Sequence, residues 1–185
     1  MPIRPTLCTE RRLLRPFESS DAPAVAAICA ERAVASTTLF IPHPYSLEHA
    51  HHWLDTHQQS FDSGTDVQMA VTLADTRELV GAIGLVIQSE HDRAEIGYWI
   101  TPSRWGQGLA TEAGRAVLRY GFEERVLNRI WAYHFARNPA SGRVLQKIGL
   151  RYEGVARQHI RKWNRYEDCL LYGLTRADYH AVRHA

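Results

Sequence analysis

The sequence SRWGQGLATEA, residues 103–113, joins two segments with different hydrophobic periodicities. Before it, the segment Ala94–Thr101 (AEIGYWIT) is rich in β-branched and aromatic residues and stops at Pro102, which is typical of a strand. After it, apolar residues recur at helical spacing from Leu109 until Gly121. The sequence therefore predicts a strand, a glycine-containing loop and a helix in direct succession.

The loop and the start of this helix predict a binding site for an anion. Gly106 and Gly108 have no β-carbon that would keep a ligand away from the backbone. The free N–H groups and the positive dipole end of a helix N-terminus attract phosphate. The loop lacks the Gly-Lys-Ser/Thr ending of a Walker motif, and Thr111 stands where a dinucleotide fingerprint needs a small residue. We therefore expect a phosphate-bearing cofactor of another kind.

A second block, NPASGRVLQKIG at residues 138–149, follows further along the chain. Together the two blocks resemble the pyrophosphate loop and a later helix of the GNAT superfamily of N-acetyltransferases. The pattern Trp-Gly-x-Gly-x-Ala-Thr-Glu-Ala is similar to the Rim-like branch, whose enzymes acetylate ribosomal-protein N-termini. The resemblance implies acetyl-CoA as the cofactor and an amine as the acceptor. The alternative is a glycine turn that only joins a strand to a helix, and two ordered blocks in one chain disfavour it.

Composition places the chain among ordinary globular proteins. Its 185 residues predict a single domain over residues 1–185, and 45% are hydrophobic and 23% charged. A net charge of +2 does not indicate a nucleic-acid partner. Three widely spaced cysteines do not form a disulfide framework, and no apolar run has the length of a membrane span. We therefore expect a cytoplasmic protein without a membrane partner, as a monomer or a homodimer.

The periodicities predict alternating helices and strands along the rest of the chain. The predicted helices are Ala22–Arg32, a helix capped by Ser46 that runs to Phe61, the helix from Leu109, the helix from Asn138 to Gly149, and a short final helix capped by Thr175. The predicted strands are Arg12–Pro16, Val67–Leu73, Glu78–Ile87, Ala94–Thr101, Asn128–Phe135, Tyr152–Arg161 and Asp168–Leu174.

This order matches the α/β fold that the resemblance implies, a mixed and mostly antiparallel central sheet with helices on both faces. In that fold two adjacent parallel strands splay apart, and the pantetheine arm of the cofactor lies between them. Here those strands would be Ala94–Thr101 and Asn128–Phe135. Splayed strands leave backbone N–H and C=O groups unpaired, and an amide-bearing pantetheine can satisfy them.

The resemblance also implies which residues hold the cofactor. Backbone amides from Gln107 to Thr111 would bind the pyrophosphate, and those of residues 99–101 would bind the thioester oxygen. Trp105 stands where the superfamily usually has Gln or Arg, so that a polar contact to phosphate is lost there. The expected cofactor-binding residues are Trp99, Ile100, Thr101, Trp105, Gly106, Gln107, Gly108, Leu109, Ala110, Thr111, Asn138 and Arg143. Arg104 and Lys147 are further candidates for phosphate charge.

Two residues at the start of the predicted 138–149 helix are candidates for the leaving thiolate. A helix N-terminus favours negative charge, and resemblance suggests that Asn138 contacts the cofactor and that Ser141 lies near its sulfur. Asn138 is equally well explained as a plain N-cap, and the two roles can coexist. Many superfamily members have a tyrosine acid further along this helix, where this chain has Leu145. Ser141 is then the hydroxyl left to orient the sulfur.

The general base is predicted at Glu95. It shares one strand face with Gly97 and Trp99, where a carboxylate could draw in an ammonium and relay its proton through water. A carboxylate that pairs with a neighbouring Arg on a half-exposed sheet is the alternative. His134, Glu167 and Asp168 are weaker candidates for the base.

Five histidines fall between the first two predicted helices and within the second: His43, His49, His51, His52 and His57. A metal site needs ligands on one helical face, and only His49 and His52 share one. No cysteine or acidic pair completes a familiar ligand set. We therefore predict no metal site and expect solvated or substrate-lining histidines.

The leading hypothesis is an acetyl-CoA-dependent N-acetyltransferase acting on a protein or peptide N-terminal α-amine. An α-amine with a pKa of about 8 is partly neutral at cellular pH, so that it suits a site with no obvious strong base. The same chemistry on a small amine, such as an antibiotic, a polyamine or an amino-acid derivative, is the second hypothesis. A non-catalytic acyl-CoA-binding module is the third.

Overall fold

The computed structural model describes residues 3–183. Its strands are β1 (Leu7–Cys8), β2 (Arg12–Arg15), β3 (Asp66–Leu73), β4 (Leu79–Gln88), β5 (Arg93–Ile100), β6 (Arg129–Phe135), β7 (Arg151–Lys162) and β8 (Arg165–Thr175). Its helices are α1 (Ala22–Ala30), α2 (Arg32–Ala35), α3 (Leu47–Asp55), α4 (His57–Asp62), α5 (Leu109–Arg119), α6 (Pro139–Ile148) and α7 (Arg176–Arg183).

All eight strands form one mixed sheet in the order β1-β2-β3-β4-β5-β6-β8-β7. The single parallel pair within it is β5–β6, and every other neighbouring pair is antiparallel. The predicted fold class, a mostly antiparallel mixed sheet with helices on both faces, is confirmed. Strand β1 was not predicted from the sequence because two residues are too short to show a period.

The helix predicted from Ser46 to Phe61 begins as expected but is interrupted. The Ser46 side chain accepts a hydrogen bond from the His49 amide, so that the predicted N-cap is confirmed. The helix then breaks at Thr56, whose hydroxyl donates to the Trp53 carbonyl at 2.7 Å and competes with the helical ladder. As a result α3 and α4 are separate helices.

The helix after the glycine loop continues past its predicted end. We predicted that it stops at Gly121, but the chain instead adds a π-helical turn over Tyr120–Glu124. In this turn Gly121 packs closely against Ile130. A β-carbon at residue 121 would lie 2.6 Å from the Ile130 side chain, too close unless that side chain shifts. Packing against β6 therefore decides where this helix ends.

The two faces of the sheet carry separate apolar cores, as side-chain alternation along the strands requires. In β3, Met69 and Val71 join the larger core, which also contains apolar residues of α5 and α6. Ala70 between them faces the smaller core, where it packs with residues of α1 and α3. The helices thus cover both faces of the sheet.

Strands β5 and β6 pair over three residues only, from Arg93↔Arg129 to Glu95↔Trp131. Beyond this point β5 continues to Ile100 and β6 to Phe135, and the two strands diverge. The predicted splay of these two strands is therefore confirmed. It opens a gap in the middle of the sheet, which positions the site described next.

Candidate active site

A cavity of about 970 Å³ opens at the gap between β5 and β6. It extends from the N-terminus of α5 and the first turns of α6 on one side to α1, α3 and the loop after α2 on the other. All three predicted catalytic residues line it, namely Glu95, Asn138 and Ser141. Ten of the predicted cofactor-binding residues also line it: Trp99, Ile100, Trp105, Gly106, Gly108, Leu109, Ala110, Thr111, Asn138 and Arg143.

The glycine loop has the backbone form that its sequence predicts. Gly106 and Gly108 have φ angles of 76° and 78°, in the left-handed region that glycine adopts without strain. Gly108 is the N-cap of α5 and has no side chain to satisfy the first amides of the helix. The amides of residues 109–111 therefore remain available to an anion at the cavity wall.

Trp105 lines the cavity, whereas Gln107 does not. The Trp105 indole N–H donates to the Ile100 carbonyl at 2.7 Å, so that the side chain fastens the loop to the end of β5. The Gln107 residue is exposed and does not line the cavity. Among the amides predicted to bind the pyrophosphate, those of Leu109, Ala110 and Thr111 therefore belong to residues that line the cavity.

The amide groups expected to face the thioester need a correction. The Thr101 amide donates to the Val80 carbonyl at 2.8 Å, and Thr101 does not line the cavity. Because successive residues of a strand direct their N–H groups to opposite sides, Trp99 also donates toward β4. Ile100 and Tyr98 therefore direct their amides into the gap, and of the three predicted donors Ile100 is the one that can serve the cofactor.

A hydroxyl pair lies on the α6 side of the gap. The Tyr98 hydroxyl is 2.7 Å from the Ser141 Oγ and 3.1 Å from the Ser141 carbonyl oxygen. Asn138 caps α6, because its side-chain oxygen accepts from the Ser141 amide at 3.4 Å. Burial raises the pKa of Tyr98 to about 12, against the effect of the hydrogen bond with Ser141. The tyrosine therefore stays protonated and can donate at neutral pH.

Sequence reasoning missed Tyr98 because it looked for a tyrosine on the helix, at the position of Leu145. Leu145 is buried in the core, with 1% of its surface exposed. Tyr98 alternates with Gly97 and Trp99 along β5, so that its side chain reaches α6 from the opposite face. The alternation of β5 was readable, but the packing of α6 on that face was not.

Glu95 occupies the other face of the sheet. It is half-buried, and its carboxylate forms no hydrogen bond or ion pair with any residue from 3 to 183. Burial raises the pKa of Glu95, because the charged carboxylate is partly removed from water. The structural ion pair with an arginine, which the sequence left open, is therefore not formed within the described residues.

The cations near the site have unequal roles. Arg143 and Lys147 are exposed on α6 and line the cavity. Arg104 also lines it, but its guanidinium is paired with Glu78 at 2.8 Å. Arg143 and Lys147 thus have the position that a phosphate-binding charge needs, next to the α5 amides.

The wall opposite α6 is formed by the loop that follows α2. The Lys162 ammonium, at the end of β7, donates to the Leu39 and Ile41 carbonyls at 2.9 Å and 2.7 Å. Arg137 donates to the Ser36 carbonyl at 2.6 Å and to Glu167 at 2.9 Å. Two basic side chains of the C-terminal half therefore hold this loop in place. The sequence offered no signal for either contact, because they join residues more than 100 positions apart.

The histidines have separate environments. His49 and His52 line the cavity, and the His49 Nδ1 lies within hydrogen-bonding distance of Ser46. His57 is buried beside Phe17 and Trp53, with ring centroids 5.4 Å and 4.5 Å away. Within residues 3–183 no group of three or more His, Cys, Asp or Glu side chains has an arrangement that could hold a metal ion.

A family model described as an acetyltransferase (GNAT) domain matches residues 11–151. This match spans the sheet from β2 to β6, the glycine loop and α6. The chain belongs to the GNAT acetyltransferase family. It is accordingly an N-acetyltransferase of the GNAT type, and enzymes of this family take their acetyl group from acetyl-CoA.

Relatives support this membership of the GNAT family. YoaA of Bacillus subtilis, named as an uncharacterized N-acetyltransferase, is 36% identical over 157 residues, which cover 84% of this chain and 88% of YoaA. The ribosomal protein uS5 alanine N-acetyltransferase of Escherichia coli is 29% identical over 107 residues, which cover 57% of this chain and 55% of that enzyme.

Solved structures agree with the fold. A GNAT-family acetyltransferase of Bacillus anthracis superposes with a TM-score of 0.84 at 28% identity, covering 94% of this chain and 99% of that one. RimL, a ribosomal-protein alpha-N-acetyltransferase in complex with coenzyme A, superposes with a TM-score of 0.85 at 18% identity, covering 92% and 98%. In residues 3–183 no helix combines the length and the continuous apolar character that a membrane span requires.

The residues of this chain fit acetyl-CoA. Helix amides at the start of α5 suit a pyrophosphate, and Arg143 and Lys147 add positive charge beside them. The unpaired backbone edge of β5, with the Ile100 amide facing the gap, suits an amide-bearing arm. The helix amides, the two cations and the open edge of β5 thus offer partners for the phosphates and the amide-bearing arm of this cofactor.

Proposed function

We propose that this GNAT enzyme acetylates the α-amine of a protein or peptide N-terminus. One observation carries the proposal: Glu95 lies without a partner on one face of the sheet, and the Ser141–Tyr98 pair lies on the other face. The gap between β5 and β6 connects them. An amine can thus lose its proton on one side while a thiolate is stabilised on the other.

When bound, acetyl-CoA supplies an activated acetyl group on a thioester. Holding the two reactants in register is expected to contribute the largest share of catalysis, of the order of 7–11 kcal/mol. The α5 amides, Arg143 and Lys147 would hold the phosphates, and the Ile100 amide would donate a hydrogen bond to the carbonyl oxygen as it gains charge. These contacts orient the acetyl end toward Glu95 and Ser141.

Glu95 is assigned as the proton acceptor for the amine, directly or through one water. Burial raises its pKa, which brings the group closer to the working pH and makes it a better base. An ammonium would be drawn to the unpaired carboxylate and give up its proton there. A single half-buried carboxylate suits an α-amine, since the pKa of such an amine is about 8 and that of a lysine is above 10.

Ser141 is assigned to the leaving thiolate. When the Tyr98 hydroxyl donates to the Ser141 Oγ, the serine proton is free to point toward the sulfur. The N-terminus of α6 adds a favourable dipole for negative charge at the same place. Asn138 sets the start of the helix through its cap and lines the cavity beside it.

Two findings support an N-terminal acceptor over other amines. The relative named as a ribosomal protein uS5 alanine N-acetyltransferase shares 29% identity over 107 residues of this chain. The exposed loop residue Phe40 also lines the cavity, so that an apolar side chain is available there to the residues that follow an N-terminus. The second candidate is a small amine, favoured by the aromatic wall of Trp53 and Trp99, whose ring centroids are 6.3 Å apart.

Thiol release from acetyl-CoA by the purified enzyme tests the choice between these acceptors. The assay compares alanyl, seryl and methionyl peptides with matched peptides whose N-terminus is blocked and whose acceptor is a lysine. Spermidine and simple alkyl amines provide the small-amine arm. Turnover with free N-termini is expected, and it should vanish when the N-terminus is blocked. Turnover restricted to the small amines, or with none of these acceptors, would contradict the proposal.

A further inference from the structure

Five glycines lie within strands of the described chain, and four of them have a structural reason to be glycine. A β-carbon on Gly81 would collide with the Trp99 carbonyl oxygen, and one on Gly84 would collide with Gln68. One on Gly173 would displace the ends of the Arg129 and Glu153 side chains and so disturb their ion pair. Gly154 has a φ of 148°, which other residues rarely adopt. Packing or backbone conformation thus explains each of these four.

For Gly97, in the middle of β5, neither close packing nor backbone conformation requires a glycine. A β-carbon built on it meets no heavy atom within 4 Å, and its φ lies outside the left-handed region. A glycine inside a strand destabilises the fold relative to alanine, and it commonly marks a close approach of a ligand. The bare backbone at Gly97 therefore points to a group outside the protein that needs this space.

The surroundings of Gly97 identify the kind of group. Gly97 lines the cavity, and its flanking neighbours on the same strand face are the unpaired Glu95 carboxylate and the Trp99 indole. Across the ladder it faces Gly84, which the Gln68 side chain covers. Trp53 lies beyond Trp99. The position is thus a flat strip of backbone between a carboxylate and aromatic rings.

The features that suit the cofactor lie elsewhere. The phosphate-binding amides are on α5, and Arg143 and Lys147 are on α6. The unpaired edge of β5 that suits the pantetheine arm points sideways toward β6, in the plane of the sheet. The face of Gly97 instead points out of that plane, toward the side covered by α1 and α3. The space over Gly97 is therefore on the acceptor side.

We propose that the space over Gly97 is the seat of the acceptor amine, and that Gly97 is glycine to let the carbon bearing this amine lie against β5. The inference rests on the proposed function, since it locates the acceptor of that reaction. Glu95 would bind the amine and the Trp99 ring would pack against its carbon. None of the Lys and Arg residues that line the cavity belongs to α1, α3 or the loop after α2: they are Arg104, which is paired with Glu78, and Arg143 and Lys147 of α6. The seat therefore favours an amine with no anionic group beside it, as in a peptide N-terminus, and disfavours a free amino acid.

The test measures binding of CoA and of three conjugates in which the CoA sulfur is joined through an acetyl bridge to an amine. The amines are an alanyl peptide, propylamine and free alanine. Calorimetry compares the wild type with Gly97→Ala and Gly97→Val, and a thermal unfolding scan of each unliganded protein is the control for folding. Because alanine suits an ordinary strand conformation better than glycine, Gly97→Ala should unfold at a temperature equal to or above that of the wild type.

We expect the wild type to bind the peptide conjugate more tightly than CoA. In Gly97→Val the affinity for the peptide conjugate should fall by at least about tenfold, while the affinity for CoA stays the same. The alanine conjugate should bind more weakly than the peptide conjugate, because its carboxylate lies beside Glu95. If only the propylamine conjugate binds more tightly than CoA, and Gly97→Val removes that extra affinity, then an amine does bind over Gly97 but the acceptor is not a peptide.

Four results would overturn the inference. The first is a gain that persists in Gly97→Val, and the second is an equal loss of CoA affinity in that variant, which would assign the space to the cofactor. The third is the absence of a gain with every conjugate in the wild type. A lower unfolding temperature for Gly97→Ala would show that the fold itself requires the glycine, and would equally reject the functional explanation.

Discussion

The Tyr98 hydroxyl and the Ser141 Oγ are 2.7 Å apart, although one belongs to a central strand and the other to the first turn of α6. The contact joins two elements that line the cavity. It also gives the serine hydroxyl a fixed hydrogen-bond partner, and either of the two hydroxyls can be the donor.

Removing either hydroxyl of the pair is expected to lower kcat. Ser141→Ala and Tyr98→Phe should each cost about 10- to 100-fold, the range of one hydrogen bond to a charged group. Since Tyr98 acts through Ser141, the double variant should be no slower than Ser141→Ala alone. Steady-state kinetics with saturating acetyl-CoA measures this, and multiplicative losses would show that the two hydroxyls act independently.

A negative charge at the glycine loop is expected to abolish cofactor binding. Gly108→Asp would place a carboxylate beside the α5 amides, whereas Gly108→Asn has nearly the same shape, tolerates a φ of 78° and carries no charge. The aspartate variant should bind CoA at least about tenfold more weakly than the asparagine variant. Calorimetry of both decides the matter. Equal affinities would mean that the phosphates bind elsewhere.

The carboxylate of Glu95 is expected to set the acidic limb of the rate profile. As pH falls through its pKa, which burial raises, Glu95 becomes protonated and can no longer accept a proton from the amine. Glu95→Gln should therefore lower kcat/KM at neutral pH and flatten the dependence of the remaining rate on pH at the acidic end. A profile of unchanged shape would remove Glu95 from the role of base.

The ionised Glu95 that favours the reaction is expected to lower the stability of the fold. Its raised pKa means that the folded state binds the proton more tightly than the unfolded state, so that stability falls as pH rises through the window above the ordinary value of 4.5. Glu95→Gln should therefore unfold at a higher temperature than the wild type at pH 7. The difference should shrink at acidic pH, where Glu95 is neutral in the wild type.

Lys162 is expected to position the acceptor wall. Lys162→Met removes the donor to the Leu39 and Ile41 carbonyls and frees the loop after α2. The KM for the acceptor should rise several-fold while the KM for acetyl-CoA stays constant. Lys162→Arg keeps a cation that can reach a carbonyl, so its KM for the acceptor should lie between those of the wild type and Lys162→Met. A parallel rise of both KM values would indicate a general loss of structure instead.

His57 is expected to make the fold sensitive to acid. Burial lowers the pKa of His57 to about 4 from 6.5, and neither ring nitrogen has a hydrogen-bond partner among the described residues. Between these two values the unfolded state binds more protons, so that stability falls as pH is lowered from 6.5 toward 4. From this residue alone the protein should be about 2 kcal/mol less stable at pH 5 than at pH 7.

Replacing the ring provides the control for this effect. His57→Phe keeps an aromatic ring beside Phe17 and Trp53 and leaves no polar atom unsatisfied. Its free energy of unfolding, measured with urea at pH 7 and pH 5, should change less between the two pH values than that of the wild type. An equal change in both proteins would assign the acid sensitivity to other groups.

The sequence was informative where local chemistry decides the structure. The glycine loop, the caps at Ser46 and Asn138, and the strand that ends before Pro102 follow from backbone preferences that act over a few residues. The two motif blocks then identified the family, which the family model over residues 11–151 confirms. The sheet and its splayed parallel pair followed from that resemblance and not from periodicity.

Contacts between distant elements were not predictable in the same way. Tyr98 reaches Ser141 because α6 packs on one particular face of β5, and Lys162 meets Leu39 because the β7–β8 hairpin folds back on the loop after α2. The commitment of the Thr101 amide to Val80 depends on the register of β4 and β5. Each depends on tertiary packing, which a pattern along one strand or helix does not encode.

Glu112 illustrates how a motif residue can have a structural role. Its carboxylate accepts hydrogen bonds from the Thr9 hydroxyl and from the backbone and side chain of Arg11. It thereby connects the turn between β1 and β2 to the first turn of α5. The glutamate of the motif therefore anchors the N-terminal hairpin, while the amides before it face the cavity.

The short parallel ladder has a mechanical consequence. Within the sheet, the strand ladder between the slab made of β1 to β5 and the slab made of β6, β8 and β7 consists of three residue pairs, and α5 and α6 pack across the seam. A coenzyme arm that hydrogen-bonds to both slabs would hold them together where the strands do not pair. The stiffness of the whole domain, and how far its two slabs unfold as one body, would then depend on the supply of coenzyme in the cell.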